Sequence, residues 1–240
     1  MLSGNGVNGN AVVRIDPSIA TTSTGARGPI NIGPLSADID PIDPGYSFLN
    51  RGTIIAQPTD AQLNSSAIFI QGAGPSLYTC LGTGDFTTCA GGGLLNTGSI
   101  TAVATTNVTT ASTQLVNATA FTLGPYAVVP RLDVKAETTG IGSTTPGSIS
   151  ALVTGTGGGL ANAIIISQGA RLPVINVGAG ASILATVETS TISPTVEVAN
   201  SAAPFNMVAV AINDSSSTLT KINNAGTIRA AVRAMIPGLD

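Results

Sequence analysis

The sequence contains no histidine and no tryptophan, and only 9% of its 240 residues are charged. Without histidine, the chain cannot build a Ser-His-Asp or Cys-His catalytic arrangement. Zinc is not expected either, because it takes four ligands and the chain has only two cysteines. The nine Lys and Arg residues are scattered along an acidic chain, so nucleic acid is not an expected partner.

Long hydrophobic runs are also missing, although hydrophobic residues make up 43% of the chain. A membrane-spanning helix needs roughly 18 or more apolar residues in succession. The clearest apolar runs, 163–166 and 207–212, have the length of buried strands. The sequence therefore predicts no transmembrane segment.

The shortage of charge also argues against helices. A helix at the surface of a soluble protein normally covers its wet face with Lys, Glu and Arg. In this chain Thr, Ser, Asn and Gly have to cover the exposed surface, and these residues favour strands and turns. The composition therefore predicts an all-β protein.

A short pattern recurs along the chain: Asn, any residue, Gly, Thr or Ser, Ile, any residue, Ala. It is found at 50–56, 96–102 and 224–230, and in a looser form at 176–185. A second pattern, Ala-Ile-x-Ile followed shortly by Gln-Gly-Ala, is shared by 67–73 and 163–170. Repeats of this kind indicate a solenoid, in which each repeat packs only against its neighbours.

The Asn-x-Gly part of the first pattern predicts a tight turn, in which Gly or Asn takes a positive φ. We also expect Asn side chains at equivalent turns to stack as amide ladders that set the register of successive coils. The three predicted turns are formed by Asn50 and Gly52, Asn96 and Gly98, and Asn224 and Gly226.

In the strand that follows each turn, side chains alternate between the two faces. We expect the isoleucine of each copy to face a core, namely Ile54, Ile100 and Ile228. The hydroxyl residue before each isoleucine should face the other way; these residues are Thr53, Ser99 and Thr227.

The spacing of the copies predicts coils of roughly 20–25 residues with irregular insertions. The alternative is a β-sandwich, because Asn-x-Gly is also a common hairpin signal. We expect the repetitive domain to span residues 48–240. Residues 1–47, where Pro and Asp concentrate, are expected to form an irregular N-terminal arm or edge structure with a few strands, because a residue before proline is pushed towards extended geometry.

The copies at 50–54, 96–100 and 224–230 resemble the N-x-G-x-I repeats of bacterial autotransporter passengers, and the Ala-Ile-x-Ile stretches resemble segments of the same family. The resemblance covers about residues 48–240. It implies a right-handed parallel β-helix displayed on the outer surface of a Gram-negative bacterium. The sequence lacks that family's C-terminal membrane barrel and has no signal peptide, so a fragment or a processed product is expected.

The two cysteines, Cys80 and Cys89, flank a Gly-containing loop of the kind that a disulfide closes. Closing a loop of about ten residues stabilises a fold by roughly 2.7 kcal/mol in the chain-entropy model. The alternative is two free thiols. A disulfide would indicate that the protein matures in an oxidising, extracellular environment.

Three aspartates, Asp38, Asp40 and Asp43, are the best candidates for binding a metal. Calcium prefers several carboxylate and carbonyl oxygens on a flexible loop, which these closely spaced side chains would supply. A solvated turn is the alternative, because the segment lacks a full calcium-loop signature. No other cofactor is expected.

A glycosidase would need two carboxylates at a matched distance. Glu188 and Glu197 are the candidates, on a predicted strand pair, but the chain has no Trp and only three Tyr to stack against a sugar ring. The alternating charges at 131–137 predict one solvated strand face rather than a catalytic groove.

The sequence thus favours a non-enzymatic, secreted structural protein of the cell surface: a scaffold, an adhesin, or a subunit of a surface layer or filament. A solenoid leaves strand edges at both ends that need caps or pair with another copy, so self-association is expected. Host or cell-surface glycans are further candidate partners. The alternative is a carbohydrate-active β-helix, such as a hydrolase or lyase of the phage tailspike kind.

Overall fold

The structure is a computed structural model, and it describes residues 2–4, 11–19, 28–106, 115–139, 143–155, 159–189 and 206–234. These residues form strands and turns with one 3-10 turn, Pro17–Ile19, and this part of the chain contains no α-helix. The all-β prediction is confirmed. Within the same residues, no helix is long and apolar enough to cross a membrane.

In chain order the strands are β1 (Leu2–Gly4), β2 (Val13–Ile15), β3 (Ile30–Asn31), β4 (Phe48–Asn50), β5 (Thr53–Ala56), β6 (Ser65–Ile70), β7 (Thr79–Cys80), β8 (Leu94–Asn96), β9 (Ser99–Thr106), β10 (Val116–Leu123), β11 (Ala127–Val128), β12 (Leu132–Val134), β13 (Glu137–Thr139), β14 (Ser143–Thr145), β15 (Ser148–Gly155), β16 (Gly159–Ile166), β17 (Val174–Val177), β18 (Ser182–Thr189), β19 (Asn206–Ile212), β20 (Lys221–Asn224) and β21 (Thr227–Ala234).

The strands form four parallel sheets and one antiparallel hairpin, β13–β14. Sheet A has the order β1-β5-β9-β15-β18-β21, and sheet B has the order β2-β6-β10-β16-β19. Sheet C contains β3-β7-β11 and is extended by parallel bridges at Arg171 and Thr218. Sheet D has the order β4-β8-β12-β17-β20.

The chain visits the four sheets repeatedly in the same order, A, B, C and D, and we call each round through the four sheets a pass. The first three passes are β1–β4, β5–β8 and β9–β12. The next two passes run through β15, β16 and β17 and through β18, β19 and β20, and they reach sheet C only at the bridges of Arg171 and Thr218. β21 then returns to sheet A. Strands that are neighbours in space are therefore one pass apart in the sequence.

Sheet A aligns the copies of the first pattern in parallel. An isoleucine ladder results, with Ile54, Ile100, Ile149, Ile183 and Ile228 paired in register. Ile54 and Ile100 are buried as predicted, and Ile228 on the last strand is half-buried and packs against the same core. The sandwich alternative requires antiparallel hairpins at these copies, which the parallel pairing contradicts.

The hydroxyl residues of the pattern lie on the outer face of sheet A. Thr53 and Thr227 are exposed, as predicted. Between the passes the hydroxyl groups bond to one another, with Ser148 Oγ donating to Ser99 Oγ at 3.3 Å. This outer row gives the exposed face hydrogen bonds without charged side chains.

The passes are longer than the predicted coils. Asn50 and Asn96 are stacked neighbours in sheet D and are separated by 46 residues, and Ser99 and Ser148 in sheet A are separated by 49. The prediction was wrong because it placed two coils between successive copies, whereas one pass has four corners and only one of them carries the motif. A copy at 147–151, Gly-Ser-Ile-Ser-Ala, was overlooked because the hairpin β13–β14 interrupts its turn.

The glycines of the predicted turns do not adopt positive φ, contrary to the expectation. A Cβ atom added at Gly98 would lie 1.9 Å from the carbonyl oxygen of Gly52, and one at Gly226 would lie 2.4 Å from the carbonyl oxygen of Ala181. Glycine is therefore required at these corners by the close approach of successive passes.

Sheet B aligns the second pattern. Two fully buried rows result, Ile68-Phe121-Ile164 and Ile70-Leu123-Ile166. These rows join the isoleucine ladder of sheet A and the inner residues of sheet D in one hydrophobic cluster. The core thus lies between the sheets along the direction of stacking.

The described residues within 1–47 form an edge of the sheets rather than a separate arm. β1, β2 and β3 pair with β5, β6 and β7, so this segment supplies the first strands of sheets A, B and C. The expected boundary at residue 48 falls inside the first pass, at β4. The segment between β3 and β4 is irregular, as expected, but it folds back on itself, since the backbone N–H of Leu35 donates to the carbonyl of Tyr46 at 2.9 Å.

Candidate functional site

One end of the stacked sheets is open. There β19, β20 and β21, which we call the open end, each pair with a strand on one side and with no described strand on the other. Three apolar side chains on these strands are exposed to a large extent: Ile212 by 50%, Ile222 by 43% and Val232 by 53%.

These three side chains occupy core positions. The register pairs them, in order, with Ile166, Ile175 and Val187 one pass earlier. All three of these partners are fully buried. The exposure arises because no described strand pairs with β19, β20 and β21 on that side. One further pass would remove this apolar surface from water, which is the main favourable contribution to association.

The opposite end has a different construction. Its edge strands β1, β2, β3 and β4 contain only two or three residues each. Short edge strands present few free backbone groups to another chain. Val13, Ile15 and Phe48 on these strands are half-buried and pack against the core. The open end, with β19 and β21 of 7 and 8 residues, offers a longer unpaired edge.

Two buried amides hold the first passes of sheet D in register. Asn50 Nδ2 donates to Asn96 Oδ1 at 2.7 Å, and Asn96 Nδ2 donates to the carbonyl oxygen of Ser148 at 2.9 Å. Both asparagines are buried, and these bonds satisfy polar groups that would otherwise cost free energy in the core. The predicted amide contact is thus present between these two turns.

Asn224 lies in the same row of sheet D, but it does not extend the ladder within one chain. Val134 and Val177 stand between it and the first two asparagines. Its Oδ1 accepts the backbone N–H of Gly226 at 3.1 Å.

The looser copy at 176–185 does not align with the other copies as the motif predicts, because its Asn176 lies one residue before the position that corresponds to Asn50 and Asn96. Asn176 pairs with Asp133 and Asn223, and so it belongs to the outer row of sheet D. Asn176 Nδ2 donates to Asp133, and Asn223 Nδ2 donates to Asn176 Oδ1 at 2.7 Å. A second polar stack therefore runs along the outer face towards the open end.

Asp133 on β12 is 3% exposed, although the alternating charges at 131–137 predicted a solvated face. Tyr46 covers it, and the tyrosine hydroxyl donates to Asp133 Oδ2. Lys135 Nζ lies 3.9 Å from the same oxygen, and the Arg131 guanidinium carbon lies 4.1 Å from the centre of the Tyr46 ring. The prediction was wrong for Asp133, because the segment before β4 packs onto this face, whereas Lys135 is exposed as expected.

Burial raises the pKa of Tyr46 well above its ordinary value, and the hydrogen bond to Asp133 raises it further. Ionising the phenol would place a second negative charge beside a carboxylate that is already shielded from water. The phenol is thus held neutral as a donor, which is a structural role.

Asp40 and Asp43, two of the three calcium candidates, converge on Arg51. The guanidinium donates to both carboxylate oxygens of Asp40, at 2.6 and 2.9 Å, and to Asp43 Oδ2 at 2.9 Å. The Arg51 hydrogen bonds, with the backbone N–H groups of Asp43 and Ile42, hold the pKa of Asp40 well below its usual range. Asp38, the third candidate, is exposed.

An arginine therefore stands where the calcium hypothesis placed a cation. Among the described residues, no group of three or more His, Cys, Asp or Glu side chains is arranged to hold a metal ion. Of the two proposed catalytic carboxylates, Glu188 Oε1 lies 3.5 Å from Arg233 Nη1 on the neighbouring strand. Glu197 lies outside the described residues.

Cys80 and Cys89 form the disulfide that the sequence predicts, with their sulfur atoms 1.96 Å apart. The bond closes a loop between β7 and β8. Asp85 in this loop accepts the side-chain hydroxyl and the backbone N–H of Thr87, each at 2.7 Å, and these bonds with those from Thr88 hold the pKa of Asp85 at about 2. A disulfide fits a protein that matures in an oxidising compartment.

A shallow groove lies beside the disulfide loop. It is lined by Phe86, Pro125, Tyr126, Gln168, Gly169, Arg171, Ser216 and Thr218. The Phe86 and Tyr126 rings lie 5.6 Å apart, and Arg171 Nη1 donates to the carbonyl oxygen of Phe86 at 3.1 Å. Apolar rings beside a few polar groups are typical of small-ligand sites.

Comparisons of this chain with models of protein families, with curated protein sequences and with solved structures find no match. The resemblance to autotransporter passengers therefore rests on the repeat motifs alone.

The contact between Tyr46 and Asp133 was missed in the sequence, and the open end was predicted only as an unpaired strand edge, without its exposed apolar side chains. Tyr46 and Asp133 are 87 residues apart, and no local pattern links them. The exposed side chains of the open end had a usable signal, because the apolar run 207–212 is similar to the largely buried apolar run 163–166. Recognising this signal requires knowing which strands are neighbours.

Proposed function

We propose that this chain is a right-handed parallel β-helix that serves as a non-enzymatic structural protein, secreted and displayed on the outer surface of a Gram-negative cell. It self-associates through the open end, as a scaffold, an adhesin, or a subunit of a surface layer or filament. The observation that carries the proposal is the exposure of the core positions Ile212, Ile222 and Val232.

The constant order of the four sheets supports the helical part of the proposal. Connections between parallel strands of one sheet are right-handed in about 98% of cases, which supports the handedness. The disulfide and the surface of hydroxyl and amide groups support an extracellular location. The likeness of the turn motifs to those of autotransporter passengers supports display on a Gram-negative surface.

Sedimentation velocity over a hundredfold range of protein concentration tests the self-association, with negative-stain electron microscopy of the largest species. We expect the mean mass to rise with concentration. Ile212→Asp combined with Ile222→Asp should abolish the rise, because two charges would have to be buried in the contact. Thr145→Asp, on the exposed hairpin, is a control for the added charge. A wild-type monomer at the highest concentration would contradict the proposal.

Glycan binding is a second candidate function, favoured by the groove beside the disulfide loop. Phe86 and Tyr126 would contact a sugar ring, and Gln168 and Arg171 would contact its hydroxyl groups. On a glycan array we expect Arg171→Ala to lose binding and Glu188→Gln to retain it. An array that is silent for the wild type would exclude this function.

The alternative of a carbohydrate-active enzyme makes a different prediction. It requires release of reducing ends from a polysaccharide, and loss of that release in Glu188→Gln or Glu197→Gln. The ion pair between Glu188 and Arg233 favours a structural role for Glu188.

A further inference from the structure

We propose that a second copy of this chain docks head to tail on the open end, and that β21 of the first copy takes the place of β1 in the second. This inference rests on the proposed self-association and specifies its partner, its polarity and its register. The open end and the short-stranded end are then the two halves of one interface.

In sheet A, β5 pairs with β9 on one edge and with β1 on the other. β1 supplies only three residues, Leu2–Gly4. β21 carries at 227–230 the same Thr-Ile-x-Ala order that β5 carries at 53–56. In the register used throughout the sheet, β21 placed on β5 would continue the isoleucine ladder from Ile228 to Ile54. The added strand would bond through its backbone while its side chains set the register.

The order of the sheets requires this replacement. β21 is a visit to sheet A, and the next sheet on every pass is B. In the second copy, the strands after β1 are β2, β3 and β4, in sheets B, C and D. With β1 displaced, the series A, B, C, D continues from one copy into the next. With β1 kept in place, sheet A would hold both β21 and β1, and sheets B, C and D would each lack a strand between the copies.

In sheet B, β2 of the second copy would lie on β19 of the first. The registers through β6, β10 and β16 align Val13 with Val210 and Ile15 with Ile212. Ile15 would thus cover Ile212, which is 50% exposed in the single chain. Both rows bring apolar side chains together, as the buried rows within the chain do.

In sheet D, β4 of the second copy would lie on β20. The same reasoning aligns Phe48 with Ile222 and Asn50 with Asn224. Phe48 would cover Ile222, which is 43% exposed. Asn50 would meet Asn224 as it meets Asn96 within the chain. A one-residue slip would separate the two amides and turn the apolar rows outward, so the match specifies a single register.

Charge favours the same polarity. The charged residues on β20 and β21 are Lys221, Arg229 and Arg233, and neither strand carries an acidic residue. At the other end, segment 38–43 carries three aspartates, of which Asp40 and Asp43 bond to Arg51. Opposite charge at the two ends favours contact of unlike ends over contact of like ends.

Cysteine cross-linking of the full chain tests the register. Thr53→Cys and Thr227→Cys, placed together in one chain, would face each other only between copies. Within one chain they are four strand spacings apart, about 19 Å, which is too far for a disulfide. The native cysteines are already paired with each other. Mild oxidation should give a ladder of covalent oligomers on a non-reducing gel.

The matched control combines Thr53→Cys with Arg229→Cys, which lies on the same face but two residues out of register. We expect at least about tenfold less cross-linking from this pair, since diagonal neighbours are roughly 7–8 Å apart. Thr227→Cys alone should give no dimer. Equal cross-linking by the two pairs, or a dimer from Thr227→Cys alone, would overturn the proposed register and polarity. Circular dichroism checks that each variant is folded.

Ser3→Pro tests the displacement of β1, because proline removes a backbone donor from that short strand. If β1 competes with β21 of the neighbouring copy, assembly should begin at about tenfold lower concentration than in the wild type. An unchanged concentration would overturn the strand replacement. If every variant were monomeric, this would contradict the proposed self-association itself. Assembly with equal cross-linking by the two cysteine pairs would contradict only this inference.

Discussion

Gly98 lies next to Gly52 where sheet D meets sheet A. Its φ is outside the left-handed region, so conformational freedom does not explain the glycine. A Cβ atom at Gly98 would lie 1.9 Å from the Gly52 carbonyl oxygen, whereas nothing lies within 4 Å of a Cβ atom at Gly52. The glycine of the motif is thus sterically required at position 98 but not at position 52, one pass earlier.

Gly98→Ala should therefore destabilise the fold by about 1–3 kcal/mol, because the two passes have to move apart. Gly52→Ala is the matched control and should change stability by no more than about 1 kcal/mol. The midpoint of urea unfolding measures both effects. Equal losses for the two variants would contradict the close-approach explanation.

The isoleucine ladder makes a graded prediction. Ile100 is fully buried, so Ile100→Ala should cost about 2–5 kcal/mol. Ile228→Ala should cost less than half as much, because Ile228 is only half-buried in the single chain. Thr53→Ala, on the exposed face, should stay within about 0.5 kcal/mol. Urea unfolding at low protein concentration tests the order, and a larger loss at Ile228 than at Ile100 would be inconsistent with it.

At the scale of the elements, Tyr46 ties the segment before β4 to strand β12. Its hydroxyl donates to buried Asp133, and its ring lies against the Arg131 guanidinium. The bond to Asp133 thus helps to hold the irregular segment on the outer face of sheet D, and it also satisfies a buried carboxylate. Removing one partner of such a buried bond costs about 1–3 kcal/mol.

Tyr46→Phe should lower stability by that amount at neutral pH, and it should also change the alkaline limb of the stability profile. The pKa of Tyr46 is raised in the folded state above the unfolded value of about 10. Its contribution is therefore fully present below pH about 10 and is lost as the pH rises through the folded value. Urea unfolding at several pH values from 7 to 11 should show a steeper alkaline loss for the wild type than for Tyr46→Phe, with Tyr126→Phe as the control. Parallel curves would contradict this role of Tyr46.

At the scale of the whole molecule, each strand of sheets A to D pairs only with strands one pass earlier or later in the chain. The stability of such an array is close to a sum over neighbouring pairs, so its ends open first. Strands β19, β20 and β21 have one neighbour each, and their apolar side chains are partly exposed.

Native-state hydrogen exchange on dilute protein should therefore be fast in the end strands, including β19, β20 and β21, and at least about tenfold slower in β9, β10, β15 and β16. Raising the protein concentration should slow exchange at the open end and leave the central strands unchanged. Uniform protection along the stack would contradict this one-dimensional description.

Part of this structure could be predicted from the sequence because it follows from local chemistry. The low content of charged residues argued against helices. The alternation of inward and outward side chains after each Asn-x-Gly turn placed Ile54 and Ile100 in the core. The close spacing of Cys80 and Cys89 predicted their bond. The coil length could not be predicted, because only one of the four corners in a pass carries the motif.

The sequence by itself determined the all-β class, the disulfide and the inner face of each motif strand, since residue types and short spacings are sufficient for these. Only the tertiary structure decided which strands lie side by side. That arrangement buries Asp133 under Tyr46 and forces glycine at position 98. It also leaves Ile212 and Ile222 exposed where the stack ends. These features join residues that are distant in the chain, because each pass meets its neighbour only after the chain has visited all four sheets.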